Sequence, residues 1–284
     1  MSGDFQVVPL WTRPLAEICA ILNSGYEGYV VPVRFDEAAL MRRVLAEHID
    51  LSASGLLSAG KAGPAGILLV ARRGRISRIA ALGLRPAWRG AGLGGRAVRW
   101  AIDTARARGD SALILEVIEG NDPAVATYRK AGFTDRRRLV SYSHPGDEGR
   151  DAGAAQAVSP AEVLPLLLGA WPAGASWQTD PRCHAGAVAP VEAFTDAAGA
   201  AAALVDRTGP AARLLALAVR PEARRRGAGR ALMRAAMAQT PGKPWTISAT
   251  LPEGMAEGFL QATGWTRTPL RQIEMEHRLD GAAP

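Results

Sequence analysis

The chain is poor in cysteine: its 284 residues hold two, Cys19 and Cys183. Two thiols so far apart exclude a disulfide scaffold and suit a reducing compartment. Cys183 stands beside His184 in the run DPRCH, but two adjacent ligand types without spaced partners do not make a metal site, and none is expected. No apolar run approaches the roughly 18 residues of a membrane span, and the opening MSGDFQVVPLW lacks the basic-then-apolar order of a secretory signal. The resulting expectation is a cytoplasmic protein with no membrane partner. Aromatic residues make up 6% of the chain and do not interleave with its basic residues, so the continuous basic track of a nucleic-acid binder is missing. Charge itself is not lacking, since the formal net value is +7 and nearly all of the 34 basic residues are arginine. Several of these arginines cluster in two glycine-rich segments, which suits a site for a small polyanion; Arg136, Arg137 and Arg138 read as a solvated surface. With 48% hydrophobic residues and domains of roughly 100–200 residues as the norm, two compact domains fit this length.

The most informative feature is a pattern written twice. Residues 79–96 read IAALGLRPAWRGAGLGGR and residues 214–231 read LLALAVRPEARRRGAGRA. Arg85 and Pro86 fall on Arg220 and Pro221, Arg89 on Arg224, Gly92 on Gly227 and Gly94 on Gly229, all at an offset of 135 (220 − 85). Each copy has a short buried strand, a proline that ends it, an Arg/Gly turn, and an Ala/Leu-rich helix over 96–107 or 231–238. The first N–H groups of a helix lack internal partners, and the helix dipole favours negative charge there, so this grammar builds an anion site. Glycine lets the main chain approach phosphate oxygens. A Walker-type loop is excluded because no Gly-Lys-Ser/Thr closes either turn, and the G-x-G-x-x-G dinucleotide fingerprint is also absent. Between the copies, PGDEGRDAGAAQAV reads as a linker. Domains are expected at residues 1–147 and 158–284, joined by 148–157.

In the first domain, residues 14–22 and 36–48 are amphipathic helical stretches, and 66–73 with 77–84 form a hairpin. A strand follows at 111–117, then a helix capped by Asp122, begun at Pro123 and ended by Gly132, and RRRLVSYSH as the closing strand. The segment 66–144 resembles the core of the GNAT superfamily of acetyltransferases, through L-x-L-R-P-x-x-R-x-x-G-x-G and then L-x-V-x-x-x-N-x-x-A-x-x-x-Y-x-x-x-G-F.

That resemblance implies two tandem GNAT-like α/β domains, of the α+β type, each with a mixed, mostly antiparallel sheet flanked by helices. It implies acetyl-CoA as cosubstrate, no metal, and an amine acceptor that is a small molecule, a protein N-terminus or a lysine. Leu82, Gly83 and Leu84 would line the pantetheine. Arg89, Gly90, Ala91, Gly92, Leu93 and Gly94 would hold the pyrophosphate, Asn121 would touch the cosubstrate, and Tyr128 would protonate the departing thiolate. Seven residues separate Asn121 from Tyr128, two turns along one helical face. The family often draws a base from a central strand; Glu116 is the candidate here, and Asp50, Tyr26 and Tyr29 are candidates for the acceptor cleft, with turn capping and packing as their alternative roles.

The second domain departs from the pattern. Aligning Gly264-Trp265 with Gly132-Phe133 puts Leu260 at the position of Tyr128 and Glu253 at that of Asn121. Leucine donates no proton, so a catalytically reduced domain is expected, although Arg225, Arg226, Gly227, Ala228 and Gly229 keep a possible CoA site. Three competing readings are a noncatalytic acyl-CoA-binding or regulatory protein, an enzyme whose active domain is the C-terminal one, and a nucleic-acid binder. Monomer and homodimer both remain open.

Overall fold

The computed structural model describes residues 5–30, 33–60, 63–146 and 155–279. The chain forms two compact units, Met1–Arg136 with Ile273–Pro284, and Arg137–Gln272. No helix of the described residues is long and apolar enough to cross a membrane.

The first unit runs β1 (Phe5–Pro9), α1 (Leu15–Gly25), α2 (Glu37–Glu47), β2 (Gly55–Ala59), β3 (Pro64–Arg73), β4 (Ile76–Leu84), α3 (Leu93–Ala107), β5 (Ala112–Ile118) and α4 (Asp122–Lys130). Strands β1 to β4 pair in sequence, each antiparallel to the next, and β5 then joins β4 in parallel. A parallel neighbour requires a crossover, and α3 supplies it. Its apolar stripe, Ala97, Val98, Ala101 and Ile102, packs with Leu68, Val70, Leu113 and Leu115 in one core. Ile67, Leu68 and Leu69 are all fully buried, so β3 is covered on both faces, and α1 packs on β3 and β4. Burying each such side chain contributes about 1.5–3 kcal/mol.

The second unit holds most of β6 (Thr134–His144), then β7 (Gln156–Val158), α5 (Pro160–Ala170), β8 (Val191–Thr195), β9 (Ala201–Asp206), β10 (Ala212–Val219), α6 (Ala228–Ala238), β11 (Trp245–Pro252), α7 (Glu257–Ala262) and the start of β12 (Thr266–Arg278). Its pairing follows β7-β8-β9-β10-β11-β6. Period-2 alternation splits β9 cleanly: Ala201, Ala203 and Val205 face the α6 core, and Ala202 and Leu204 face the α5 core.

The sheets are mixed and mostly antiparallel, as expected, but the closing strands differ from the sequence reading. RRRLVSYSH, read as the last strand of the first domain, pairs with β11 from Trp245↔His144 to Pro252↔Leu139. Val140 and Tyr142 lie in the core with Trp245 and Trp265. The end of β12 instead completes the first unit, where Met275 is fully buried beside Tyr128 and Phe133 and the Leu279 N–H donates to the Ser111 carbonyl. Residues 147–154 of the expected linker region lie outside the described residues, and Gln156–Val158 is a strand.

Candidate functional site

The site in the first unit begins where two strands part. Strands β4 and β5 pair only from Ile76↔Ala112 to Ile79↔Leu115. Beyond that point they continue to Leu84 and Ile118 without pairing, so Leu82, Gly83 and Leu84 flank a wedge-shaped opening. One residue into it lies a bulge: Val70 faces Ile79 and Leu69 faces Ala81, which leaves Ala80 unpaired. Bulges of this kind re-aim backbone groups beside sites.

At the open end of the wedge, Gly90 (φ 76°) and Gly92 (φ 78°) take left-handed conformations that glycine adopts freely. Gly92 is the N-cap of α3 and no side chain caps that end. Ala91 is exposed with both glycines, while Leu93 is buried and Gly94 lies in the first helical turn, so this turn offers main chain rather than side chains. Arg89 makes contacts that the sequence did not suggest. Its guanidinium donates to the carbonyls of Leu84 (3.0 Å), Gly25 (3.2 Å) and Glu27 (2.7 Å), tying the turn to the end of α1.

Three tyrosines gather nearby. Tyr26 and Tyr29 meet edge to face at 5.3 Å, and the Tyr29 hydroxyl lies beside the Asn121 side chain. Asn121, not Asp122, is the N-cap of α4, without a side-chain capping bond. Tyr128, on the same helix, is 8% exposed and packs on Phe133. Burial first, then the neighbouring Tyr29 and Tyr26, push its phenol well above the ordinary range, which keeps it protonated.

Behind the tyrosines lies a buried ionic chain that sequence reasoning missed. Arg78 on β4 donates through Nε to Glu116 Oε2 (2.7 Å) and through a terminal nitrogen to Glu47 Oε2 (2.6 Å). Arg43 donates to Glu47 Oε1 (3.0 Å) and to the Ala80 carbonyl at the bulge (2.7 Å), and it lies beside Tyr26. Burial alone would raise the Glu47 carboxyl, but Arg43 and Arg78 outweigh it and hold the group at about 2. At Glu116 burial prevails over Arg78 and the carboxyl is raised. The available signal was an arginine inside an apolar strand, a residue type almost never buried unless paired.

The remaining acceptor candidate stands apart from these contacts. Asp50 receives Ser52 and Ala53 N–H groups and pairs with Arg72 at 3.1 Å, the turn-forming role. Among the described residues no group of three or more His, Cys, Asp or Glu is placed to hold a metal.

The second unit repeats the frame at the same offset. Strands β10 and β11 pair only at Ala212↔Trp245 and Arg213↔Thr246, and the register of β10 and β9 skips Leu215, the counterpart of Ala80. Arg224 donates to the carbonyls of Val219 (3.1 Å) and Ala170 (2.6 Å), as Arg89 does in the first unit. Gly227 caps α6 at φ 87° and precedes Ala228, but Arg225, beside the exposed Arg226, occupies the left-handed region at φ 64°, where an L side chain costs about 1–2 kcal/mol. Leu260 is buried at the position of Tyr128, and Glu253 pairs with Arg267. A Cβ on Gly229 would lie 3.0 Å from Val219 and 3.6 Å from Phe259, so that ring packs on the start of α6. Ser176 donates to the Thr250 carbonyl at 2.6 Å, in the part of β11 beyond its pairing with β10.

Comparison with known proteins agrees with this geometry. Residues 32–133 and 161–243 match the profile of the Acetyltransferase (GNAT) family. A stretch of 67 residues is 45% identical to a mycothiol acetyltransferase of Corynebacterium glutamicum (strain ATCC 13032), covering 24% of this chain and 23% of that protein. The fold is similar to that of a GCN5-related N-acetyltransferase from Sphaerobacter thermophilus, with a TM-score of 0.68, 14% identity, and coverage of 98% of this chain and 97% of that one. A tandem GNAT protein from the clavulanic acid biosynthesis pathway superposes equally well, at TM-score 0.68 and 14% identity over 99% of this chain and 100% of the other.

Proposed function

Because this chain belongs to the GNAT acetyltransferase family, we propose that its first unit transfers an acetyl group from acetyl-CoA to a primary amine, by direct attack with both substrates bound. The observation that carries this reading is the wedge between β4 and β5, opening onto an uncapped, glycine-led helix start. A diphosphate would take its hydrogen bonds from the main chain of Gly90 to Gly94, and the pantetheine arm would lie along Leu82 to Leu84. Within the wedge, a backbone N–H beside the Ala80 bulge meets the oxyanion that develops when the amine adds to the thioester. Glu116 takes a proton from the acceptor ammonium, which frees the lone pair for attack. The carbon–sulfur bond then breaks, and Tyr128 protonates the sulfur. The nitrogen sheds its second proton to solvent, Glu116 releases to solvent the proton it took, and solvent restores the phenol.

The second unit serves this reading as a catalytically reduced partner. Leu260 has no proton to give, and Phe259 packs beside the helix start, where the first unit has Leu84 at Gly94.

The test is calorimetric titration with acetyl-CoA, followed by thiol release with a panel of amino acids, amino sugars, polyamines and peptide N-termini. The partial likeness to mycothiol acetyltransferases adds mycothiol-related amines to that panel. Tight binding with acceptor-dependent CoA release supports the proposal. Binding without release to any acceptor would favour a noncatalytic acyl-CoA-binding protein instead.

A further inference from the structure

The acetyl-transfer reading gives Glu116 a proton to accept but does not say which oxygen takes it or what holds the group in place. Glu116 is the first residue of β5 beyond the last pair with β4, Ile79↔Leu115, and so stands at the apex of the wedge. Its side chain is 3% exposed, and the two oxygens differ: Oε2 accepts from Arg78, whereas Oε1 has no hydrogen-bond partner among the described residues. A buried carboxylate oxygen without a partner bears its desolvation uncompensated, which favours a group that meets a donor when the site is filled.

We propose that Arg78 is a positioning residue for the transfer reaction, holding Glu116 by Oε2 so that Oε1 alone remains to take the proton of the acceptor ammonium. Arg78 is itself held by the carboxylate of Glu47, which Arg43 grips from one turn earlier on α2. Arg43 also donates to the Ala80 carbonyl and lies beside Tyr26. The clamp therefore links the aromatic side of the site to the strand bulge through a single line of side chains. The proton step balances: the ammonium loses one proton, Glu116 becomes a neutral acid, and the freed lone pair forms the bond to the thioester carbon.

The second unit supplies an internal contrast. Arg213, the counterpart of Arg78 at the offset of 135 (213 − 78), has a side chain 50% exposed and pairs with Asp206. Its buried clamp is gone along with the tyrosine.

The charged groups that face Glu116 are Arg78 from β4, Glu47 from α2, and Glu274 from β12, which lies 3.5 Å from Arg136. Removing the Arg78 cation raises the Glu116 midpoint by about one pH unit or more. The experiment follows the Glu116 side-chain carbon by 13C NMR from pH 4 to 9 in the full chain, for wild type, Arg78→Met and Arg78→Lys, with Arg213→Met as the control. Expected are an upward midpoint in Arg78→Met, recovery of most of the shift in Arg78→Lys, and no change in the control. The acid limb of kcat/KM moves in parallel.

An unmoved Glu116 midpoint in folded Arg78→Met overturns the proposal whatever the turnover. A shifted midpoint without acetyl transfer to any amine overturns the acetyl-transfer reading and leaves the Arg78–Glu116 coupling standing. Should Arg78→Met not fold, Arg78→Lys carries the test as a double-mutant cycle. It should lower kcat about 10-fold or more in wild type, with the KM for acetyl-CoA unchanged, and have no effect in a Glu116→Gln background. Equal losses in both backgrounds would show a purely structural arginine.

Discussion

His277 packs its imidazole on the ring of Phe133, with 5.4 Å between centroids. The same imidazole would lie 3.1 Å from a Cβ on Gly132, so the glycine that ends α4 also admits the histidine. In the second unit His144 sits 5.5 Å from Trp265, and a Cβ on Gly264 would be 3.0 Å from it. One histidine comes from the last strand and serves the first unit; the other comes from β6 and serves the second.

Met275, fully buried two residues before His277, belongs to the first unit's core. Its replacement by alanine should cost about 2–5 kcal/mol. Denaturant unfolding measures the loss, and hydrogen exchange should rise in residues 112–130 rather than in the second unit.

Gly92 and Gly227 both have positive φ, so any side chain there is strained. Gly92→Glu adds a carboxylate where a diphosphate is expected, and acetyl-CoA binding should weaken roughly 10–100-fold. Gly227→Glu should leave turnover within about two-fold, because the second unit is read as noncatalytic. Steady-state kinetics of the two variants compare the units directly, and the reverse ranking would move the active site to the C-terminal half.

Tyr128→Phe keeps the packing on Phe133 and removes the hydroxyl. With the general acid gone, kcat should fall by about 10²-fold with little change in the KM for either substrate. Unchanged CoA release would remove Tyr128 from the mechanism.

Glu47 gives a pH signature. Its folded carboxyl is held at about 2, against an ordinary 4.5. A lowered carboxyl contributes stability that is complete above the unfolded value and lost as pH falls through the folded one. The contribution is about 3 kcal/mol. Denaturation midpoints between pH 5 and pH 2.5 should therefore fall more steeply in wild type than in Glu47→Gln.

The repeat was legible because strand, turn and helix start are local and chemically distinctive. Tyr26, Tyr29, Asn121 and Tyr128, singled out in the sequence, lie near one another in the structure. The contacts of Arg89 were not legible, because an arginine beside glycines suggests an anion, whereas its guanidinium also donates to the carbonyls of Gly25 and Glu27. Arg78 was missed because its partners are distant in sequence, Glu47 by 31 residues and Glu116 by 38. The exchange of closing strands was hidden too. RRRLVSYSH and RQIEMEH carry similar alternation, and only the fit of Met275 or Tyr142 into its core separates them.

That exchange sets an order of events during synthesis. The first unit cannot bury Met275 until residues 273–279 have left the ribosome, although nearly all of its other residues emerge long before. Until then the edge of β5 that β12 covers lacks its partner.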